Sequence, residues 1–584
     1  MTAPPIVTLR RAIAEDRLAL WKWRNDPETR RASFNQAEIS LEEHSRWLEE
    51  SLARPDRRIY IVQADGVDAG AMRLDLAAGE AMVNINLAPE WRGRGIGSRA
   101  LRALCREAFG PLGLGRLTAR VKADNAASRA AFEQAGFAVT GHGDPLVLAV
   151  AASEARLDLA RSTAMLERAR QRVPGASQTF SKAPFQFVEG ACPVFLERGE
   201  GARVWDVDGN QYLDFSMGLA SVLLGYADPD VDEAVGRQLR HGVNFSLPHP
   251  LEVEVAERLC RLIPCAEMVR FGKNGSDATS GAVRLARAFT GRDVIACCGY
   301  HGWQDWFIGT TTRDLGVPKA TQELTRVFGY NDLRSLERIF DEHPGRVAAV
   351  VMEPAGVEPP APGFLEAVRD LAQRQGALLV FDEIVTGFRL ALGGAQERFG
   401  VVPDLACFGK GMSNGFPLAA LVGRREIMAL LEEVFFSFTA GGEAVALAAC
   451  LATLEKVERL NVVHHLWRQG AVLRDRFNER ARSAGLGALV RCVGLDPRTV
   501  VEFTHPGSGE PWPALKGFFQ QECARRGLLF TGAHNLCLAH GEAEIRRALD
   551  VYGEVLDLAA RAVRDGAVES RLAGPPPQPV FRRP

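Results

Sequence analysis

The sequence predicts an α/β protein with two domains of different architecture. In the C-terminal two-thirds, short apolar runs such as 347–351 and 377–381 alternate with helical patterns, which is typical of buried parallel strands. In the N-terminal part, the segments 58–63, 68–75 and 82–87 follow one another through short turns, which predicts antiparallel strands. A chain of 584 residues is long enough for two or more domains.

The N-terminal elements begin with a strand-like segment at 6–10 and a helical segment that ends near 21–27. Ser40 followed by Glu43 is a capping-box pattern, which predicts a helix over 41–52. The antiparallel segments come next, so they precede the first glycine-rich turn.

That turn opens a predicted helix over 98–109. Consecutive N–H groups at a helix start, with two arginines beside them, form an anion-binding site. A dinucleotide site is the alternative, but it would lie in a first βαβ unit with an acidic residue about 20 residues on. The antiparallel strands that come first favour the pyrophosphate of another ligand. The residues of the turn are Arg92, Gly93, Arg94, Gly95, Ile96 and Gly97.

An aspartate and a lysine follow two apolar strands of the C-terminal part. Asp382 ends the run 377–381, and Lys410 lies within Cys-Phe-Gly-Lys-Gly at 407–411. Ligands of parallel sheets bind at the carboxyl ends of the strands, so both side chains should reach one crevice. A pyridoxal phosphate (PLP) enzyme needs an amine that forms a Schiff base and a carboxylate that keeps the pyridine nitrogen protonated. A structural ion pair is the alternative.

The neighbouring strand ends favour the cofactor. The turn 271–277 brings Gly275 and Ser276 to a helix start, where backbone N–H groups bind phosphate. A structural helix cap is the alternative for such a turn when it occurs alone.

Two further strand ends carry polar groups. Tyr300 and His301 follow the strand-like segment 294–298, and the tyrosine offers an aromatic face to a cofactor ring. Glu353 follows the buried run 347–351. Polar groups at so many strand ends in one segment exceed what core packing requires.

Lys410 also stands out by composition. The chain has only eight lysines and is rich in arginine, so most basic surface positions carry arginine. Arginine does not replace lysine in imine chemistry, because its guanidinium does not deprotonate.

The stretch from about 173 to 558 resembles class III aminotransferases of PLP fold type I, most of all the branch that contains glutamate-1-semialdehyde aminomutase. The resemblance implies a large domain with a parallel-rich sheet and a smaller α+β domain. It rests on the segments 274–279, 283–287, 300–302, 381–389, 393–396, 403–405, 409–410 and 439–442.

The resemblance also implies roles for single residues. Lys410 corresponds to the Schiff-base lysine and Asp382 to the partner of the pyridine nitrogen. The remaining correspondences are Gly275 and Ser276 to phosphate binders, Tyr300 to the ring-stacking aromatic residue, and Ile384 to the apolar residue on the other ring face.

One correspondence concerns a second subunit. Thr439 corresponds to a residue that reaches the phosphate from the neighbouring subunit, which implies a homodimer with shared active sites. The aminomutase pattern has an Asn-Pro pair shortly afterwards, where this chain has Glu443 and Ala444. This departure bears on the aminomutase reaction and not on the cofactor.

Residues 1–150 resemble the GNAT superfamily of acetyl-CoA-dependent N-acetyltransferases. The loop 92–97 fits the family's pyrophosphate loop, and the segments 125–128 and 132–137 fit its second motif, which makes Asn125 a candidate acetyl-CoA contact. Many members use a tyrosine as general acid where this chain has Phe132, so the general acid is not assigned. A degenerate, purely structural domain is the alternative.

A narrower resemblance concerns the substrate. The segments 23–27 and 41–47 are similar to acetyltransferases of the pseudaminic-acid pathway, which act on amino sugars.

The chain is predicted to divide into four parts. They are an acetyltransferase domain at 1–150, a helical linker at 151–172, an aminotransferase domain at 173–560 and a disordered, proline-rich tail at 561–584.

Composition indicates a soluble, cytoplasmic enzyme. The net charge is −2 and the pI is near 6.6, which gives no support for a nucleic-acid partner. Eleven cysteines without regular spacing fit reduced thiols, and no metal site is predicted. No apolar run approaches the ~20 residues that cross a bilayer, and no signal peptide is recognisable.

Together these features predict a PLP-dependent aminotransferase fused to an acetyl-CoA-dependent N-acetyltransferase. An amino donor and a carbonyl acceptor are the expected small-molecule partners. The predicted product is an N-acetylated amino sugar, or a sugar-derived precursor, for a surface polysaccharide. One alternative is an aminomutase whose acetyltransferase acts on a separate amine. Another is an aminotransferase with an N-terminal domain that senses acetyl-CoA without turning it over.

Overall fold

The computed structural model describes residues 5–109, 112–151 and 157–581. Within these residues the strands form an N-terminal sheet of seven strands, a second sheet of seven strands and smaller sheets of four and three strands. None of the described helices is both long and apolar enough to cross a lipid bilayer. The α/β class predicted from the sequence is confirmed.

The N-terminal sheet has the strand order β1-β2-β3-β4-β5-β7-β6. The predicted meander forms β2 to β4, which pair antiparallel. Strands β4 and β5 are parallel, and the ladder between them stops at the pair Val83 and Ala119, before either strand ends. The strands are β1 Val7–Arg11, β2 Arg57–Ala64, β3 Val67–Ala77, β4 Glu80–Leu87, β5 Arg116–Val121, β6 Ala138–Gly141 and β7 Leu146–Ala151.

Five α-helices of the described residues accompany this sheet. Ser40 caps α3, because its hydroxyl accepts a hydrogen bond from the N–H of Glu43 at 3.1 Å. The helix after the glycine-rich turn, α4, begins at Ile96, two residues earlier than predicted, and its apolar side packs on the sheet. The helices are α1 Arg17–Asn25, α2 Pro27–Ala32, α3 Leu41–Ala53, α4 Ile96–Phe109 and α5 Ala126–Gln134.

The predicted linker helix is shorter than the charged pattern at 154–172. Helix α6 spans Ala160–Arg170, and residues 154–156 of the pattern lie outside the described residues. Before this helix, the buried Asp158 pairs with Arg99 of α4 at 2.6 Å. The helix that opens at the glycine-rich turn is therefore anchored to the segment that leads into the C-terminal part.

The large C-terminal sheet has the order β11-β17-β16-β15-β14-β12-β13. All pairings are parallel except those of β17 with β11 and β16. The strands of the C-terminal part are β8 Leu196–Glu200, β9 Arg203–Asp206, β10 Gln211–Asp214, β11 Met268–Gly272, β12 Val294–Cys298, β13 Thr325–Val327, β14 Val347–Met352, β15 Leu378–Asp382, β16 Leu405–Phe408, β17 Ala419–Gly423, β18 Val490–Leu495, β19 Arg498–Phe503, β20 Leu528–Leu529 and β21 Ala533–Asn535.

Every residue of β12, β14, β15, β16 and β17 is buried, because helices cover both faces of the sheet. The helices after α6 are α7 Met217–Ala220, α8 Pro229–His241, α9 Pro250–Leu262, α10 Gly275–Thr290, α11 Asp305–Ile308, α12 Lys319–Gln322, α13 Leu333–Glu342, α14 Phe364–Arg374, α15 Ala395–Phe399, α16 Arg425–Met428, α17 Ala444–Arg459, α18 Val462–Ser483, α19 Pro513–Arg525 and α20 Glu542–Arg564.

The prediction of a disordered tail over 561–584 is wrong for its described part, 561–581. The first residues of this range continue α20 to Arg564. The proline-rich remainder is tied to the domain, since Gln578 exchanges hydrogen bonds with the Phe185–Gln186 segment. Proline lacks an N–H group but retains its carbonyl, so a proline-rich segment can still be held by side-chain donors.

Candidate active sites

The carboxyl ends of β11, β12, β14, β15 and β16 lie at one edge of the large sheet. The predicted residues lie at this edge, as expected for parallel strands. They are Gly275 and Ser276 after β11, Tyr300 and His301 after β12, Glu353 after β14, Asp382 at the end of β15 and Lys410 after β16.

Asp382 is buried and held by two contacts. Its Oδ2 lies 2.9 Å from Nδ1 of His301, and its Oδ1 accepts a hydrogen bond from the N–H of Ile384 at 3.1 Å. The other ring nitrogen of His301 lies 3.1 Å from the carbonyl oxygen of Cys298. Both ring nitrogens of His301 therefore lie within hydrogen-bond distance of an oxygen atom.

His301 is itself only 1% exposed and stacks against Trp306, with the ring centroids 5.8 Å apart. His301 was predicted to be one of the cofactor contacts. In the structure it lies against Asp382 and orients that carboxylate. The local sequence gave no signal for this contact, because the two residues are 81 positions apart.

Lys410 follows the last residues of β16 and has φ of +45°, a conformation that is uncommon for residues other than glycine. No hydrogen bond or ion pair joins its amine to any other described residue. Burial lowers the pKa of this amine, although the nearby Asp382 opposes the shift. A larger fraction of the amine is consequently neutral and nucleophilic near neutral pH than for an exposed lysine.

Tyr300 and Glu353 are linked through the backbone. The N–H of Tyr300 donates to Oε2 of Glu353 at 3.3 Å. Burial, together with the charge of Asp382, raises the pKa of the Glu353 carboxyl. Tyr300 is 52% exposed, and its ring meets the Phe307 ring edge-on with the centroids 5.5 Å apart. An exposed tyrosine can contact a further ring.

Two glycines keep space open around the start of α10. A Cβ on Gly275 would lie 2.4 Å from Cδ1 of Ile384, and a Cβ on Gly302 would lie 2.3 Å from Oγ of Ser276. Asp277 accepts hydrogen bonds from the two N–H groups just before the helix. In the described part of the chain, the N–H groups of Gly275 and Ser276 have no acceptor. These donors at a helix start fit a phosphate group.

Thr439 lies in an exposed segment before α17. None of the hydrogen bonds among the described residues joins it to Lys410 or Asp382.

Glu443, which stands where the aminomutase pattern has asparagine, has a structural role. Its carboxylate caps α17 by accepting from the N–H groups of Val445 and Ala446. It also pairs with Lys273 at 2.9 Å, which ties this segment to the turn before α10.

The glycine-rich turn of the N-terminal domain is open. Gly93 and Gly95 have φ of +70° and +72°, and no atom lies within 4 Å of a Cβ built on either residue. The backbone N–H groups of 93–98 donate to no acceptor among the described residues. The unpaired donors at the start of α4 fit the pyrophosphate of acetyl-CoA.

One of the two arginines of this turn is not available to an anion. The guanidinium of Arg92 pairs with Asp26 at 2.7 Å and Glu28 at 2.9 Å, and it donates to Thr29. Both arginines were predicted to lie beside the anion, and in the structure the Arg92 guanidinium is paired with acidic residues of the α2 segment. Arg94 is exposed and packs over the Trp91 ring at 5.5 Å.

The second GNAT motif is partly structural. The Asn125 side chain accepts from the N–H of Ser128 at 3.0 Å and so caps α5. Phe132 is buried and packs edge-on against Phe137 at 4.9 Å, which makes it a core residue.

A further polar cluster in the N-terminal domain was not predicted from the sequence. Arg24, Arg30 and His44 each carry a buried nitrogen that has no hydrogen-bond partner among the described residues.

The sheet edge with its lysine, aspartate and unpaired helix N–H groups defines a PLP-dependent enzyme of the aminotransferase fold. The chain belongs to the class III aminotransferases: the family described as "Aminotransferase class-III" matches residues 186–540. A second family, described as "Acetyltransferase (GNAT) domain", matches residues 7–138. The chain is thus an enzyme that joins these two domains, with PLP as cofactor and acetyl-CoA as co-substrate. The predicted enzyme class and the predicted cofactors are both confirmed.

Known proteins similar to this chain include both transaminases and aminomutases. A 3-aminobutyryl-CoA aminotransferase of Cloacimonas acidaminovorans (strain Evry) is 39% identical over 395 residues, covering 66% of this chain and 90% of the relative. A glutamate-1-semialdehyde 2,1-aminomutase of Roseiflexus castenholzii (strain DSM 13941 / HLO8) is 36% identical over 434 residues, covering 70% of this chain and 99% of the relative. The solved structure of the PLP internal aldimine form of the Sphingopyxis sp. MTA144 FumI protein is 28% identical, with a TM-score of 0.65. The match covers 71% of this chain and 99% of the solved chain.

Proposed function

We propose that this enzyme transfers an amino group to a carbonyl compound and then acetylates the new amine. The proposed product is an N-acetylated amino sugar, or a sugar-derived precursor, for a surface polysaccharide. The supporting observation is that one chain carries both the Lys410–Asp382 cluster and an open loop of unpaired N–H groups at 93–98. Acetylation removes the charge of the amine, so the second step would prevent reversal of the first.

Mass spectrometry tests the coupled reaction. The wild-type protein is incubated with glutamate, acetyl-CoA and a panel of keto-sugars. We expect the acetylated amine to form from at least one keto-sugar, and the free amine to form when acetyl-CoA is left out. A free amine that is never acetylated would show that the two domains serve different substrates.

The residues of the C-terminal site have separate proposed roles. Bound PLP would supply an electron sink for bond changes at the carbon that carries the transferred nitrogen. Lys410 Nζ would take a proton from that carbon and deliver it to the carbon on the cofactor side of the transferred nitrogen. Asp382, oriented by His301, would hold a proton on the pyridine nitrogen. The cofactor would be bound by Gly275 and Ser276 through its phosphate, and by Ile384 and Tyr300 at its two ring faces.

In the N-terminal domain, the N–H groups of 93–98 would donate to the pyrophosphate of acetyl-CoA, and Arg94 would add positive charge. The interrupted ladder between β4 and β5 supports this placement, because an extended chain can enter where the two strands no longer pair. We propose Asn125, at the start of α5, as a further contact of acetyl-CoA.

An aminomutase is the second candidate, because a glutamate-1-semialdehyde aminomutase is 36% identical to this chain. An aminomutase moves the amine within one molecule and needs no separate donor. Formation of the isomer from glutamate-1-semialdehyde alone would support it, whereas a strict requirement for both a donor and an acceptor would support transamination. The acetyl-CoA-sensing alternative would bind acetyl-CoA without consuming it.

Asp382→Ala should retain PLP but lose most transamination, on the order of 10²–10⁴-fold in kcat, because a neutral pyridine nitrogen is a poorer electron sink. The absorbance spectrum measures cofactor binding, and amine formation measures turnover. Asp370→Ala serves as the control, since the Asp370 side chain is 49% exposed and pairs with Arg369 on α14. Full activity of Asp382→Ala would contradict the proposed role.

We further propose a homodimer whose active sites are shared. The Thr439 segment lies beside an exposed apolar segment, because the N–H of Ala444 donates to the carbonyl of Val243 at 2.9 Å. Phe435 is 77% exposed and Leu247 is 78% exposed. A second copy of the chain would cover such large apolar side chains, and a neighbouring Thr439 would then reach the phosphate site.

Subunit mixing tests whether Thr439 acts in trans. The variants Lys410→Ala and Thr439→Ala are unfolded together, refolded and assayed. A mixed dimer with shared sites has one site with both defects and one with neither, so roughly a quarter of all sites should be active after equal mixing. If Thr439 acts within its own chain, mixing creates no intact site and the activity stays at the average of the two parents.

A further inference from the structure

We infer that the C-terminal segment 574–581 is a wall of the aminotransferase site and that Phe581 restricts the size of the carbonyl substrate. The inference rests on the proposed function, in particular on the placement of Tyr300 against the cofactor. It adds a specificity-determining residue that lies 171 positions after Lys410 (581 − 410), beyond the matched family segment 186–540.

The segment follows a defined path across the domain. After α20, the N–H of Ala573 donates to Oε1 of Gln521 at 3.1 Å, and Pro577 is buried. The N–H of Gln578 then donates to the carbonyl of Phe185 at 2.9 Å, and Nε2 of Gln186 donates to the carbonyl of Gln578 at 2.6 Å. These contacts direct the chain toward the edge of the large sheet.

The end of the segment is anchored beside the site. Nε of Arg313 donates to the carbonyl of Val580 at 2.6 Å, and the same guanidinium lies over the Phe180 ring at 3.9 Å. The Phe581 ring then meets the Tyr300 ring with centroids 6.1 Å apart and an angle of 49° between the planes.

Tyr300 is thereby flanked by two aromatic rings. Phe307 meets it edge-on from within the domain, and Phe581 meets it from the C-terminal segment. Phe581 is itself 37% exposed, so it remains partly accessible while its ring lies beside Tyr300. A rigid aromatic side chain in that position would contact the substituents of a substrate bound at the cofactor. Removing it should favour bulky carbonyl compounds over small ones.

Phe581→Ala is compared with Pro579→Ala, which changes an exposed residue of the same segment. The two probes are pyruvate and acetophenone, assayed with a common amine donor. We expect Phe581→Ala to raise the ratio of kcat/KM for acetophenone over pyruvate by roughly tenfold. We also expect the apoprotein to bind PLP roughly two- to tenfold more weakly, as measured by fluorescence titration, because Tyr300 loses an aromatic neighbour.

A second variant leaves Phe581 in place. Arg313→Met removes the donor to the Val580 carbonyl and so releases the end of the segment. Like Phe581→Ala, it should raise the ratio of kcat/KM for acetophenone over pyruvate and weaken PLP binding. If Phe581→Ala and Arg313→Met both match Pro579→Ala in both readouts, the inference is overturned. Tyr300→Ala separates this failure from failure of the proposed site. Unchanged PLP affinity in Tyr300→Ala would mean that Tyr300 does not contact the cofactor, whereas a weakened affinity would leave only the role of Phe581 rejected.

Discussion

Lys410→Ala should abolish transamination, with a loss of at least about 10²–10⁴-fold from the missing proton transfer alone. The amine of Lys410 makes no ion pair or hydrogen bond in the described part of the chain, and burial lowers its pKa. Both features suit a nucleophile that must be neutral to react. Borohydride treatment should therefore fix PLP covalently to the wild-type protein and not to the variant, as peptide mass spectrometry would measure.

The control for this experiment is Lys319→Ala. Lys319 is 81% exposed, at the start of the short helix α12, and its nearest acidic partner is 3.9 Å away. We expect that variant to keep both the reducible PLP adduct and the activity. A reducible adduct of unchanged amount in Lys410→Ala would disprove the assignment, because another lysine would then carry the cofactor.

Gly95→Glu should reduce acetyl-CoA binding by more than about 100-fold while leaving the PLP spectrum and transamination unchanged. The added carboxylate would lie among the unpaired N–H groups of the loop and repel the pyrophosphate, and a like charge at close range costs several kcal/mol. Isothermal calorimetry measures the binding. With the keto-sugar substrate, the amine should accumulate without acetylation.

Gly79→Glu is a matched control for this change. Gly79 belongs to the same domain, has φ of +84° and, like Gly95, would place a Cβ in open space with no atom within 4 Å. Both substitutions thus introduce the same charge and similar backbone strain at exposed turns. Equal losses of acetyl-CoA binding in both variants would point to damage of the domain as a whole. No acetyl-CoA binding to the wild type would leave the N-terminal domain without its proposed role.

The contact between the domains gives the fusion a physical basis. Arg99 and Arg106 lie on one side of α4, where they contact Asp158 and Asn210. The N-terminus of the same helix carries the proposed acetyl-CoA loop. A tethered second site encounters the amine at a raised effective concentration, although tethering alone does not require transfer without release.

Much of the aminotransferase site was predictable because its signals are local. An apolar run predicts a buried strand, and parallel strands bring their carboxyl ends to one edge. Asp382 ends β15 and Lys410 comes two residues after β16, so their placement at one sheet edge follows from the strand pattern. The glycine-rich loop before α4 was predictable for the same reason, since glycine spacing and a helix start are both local properties.

The partners of these residues were not predictable, because they come from distant parts of the chain. Arg92 was predicted to lie beside the bound anion, and its ion pair with Asp26, 66 positions away, was not foreseen. The tail was interpreted as disordered from its prolines, yet Arg313, 267 positions from Val580, holds it beside Tyr300. Composition and periodicity describe each segment separately and carry no information about such pairs.

The sequence by itself thus determined the two domain families, the strand-end groups and the cofactors, because each depends on residues within one short segment. The tertiary structure alone decided that His301 orients Asp382, that Glu443 caps α17 and pairs with Lys273, and that Phe581 lies against Tyr300. Each of these contacts depends on how separate elements pack. Whether a charge is free, neutralised or buried is fixed only when the folded chain brings its partners within a few ångströms.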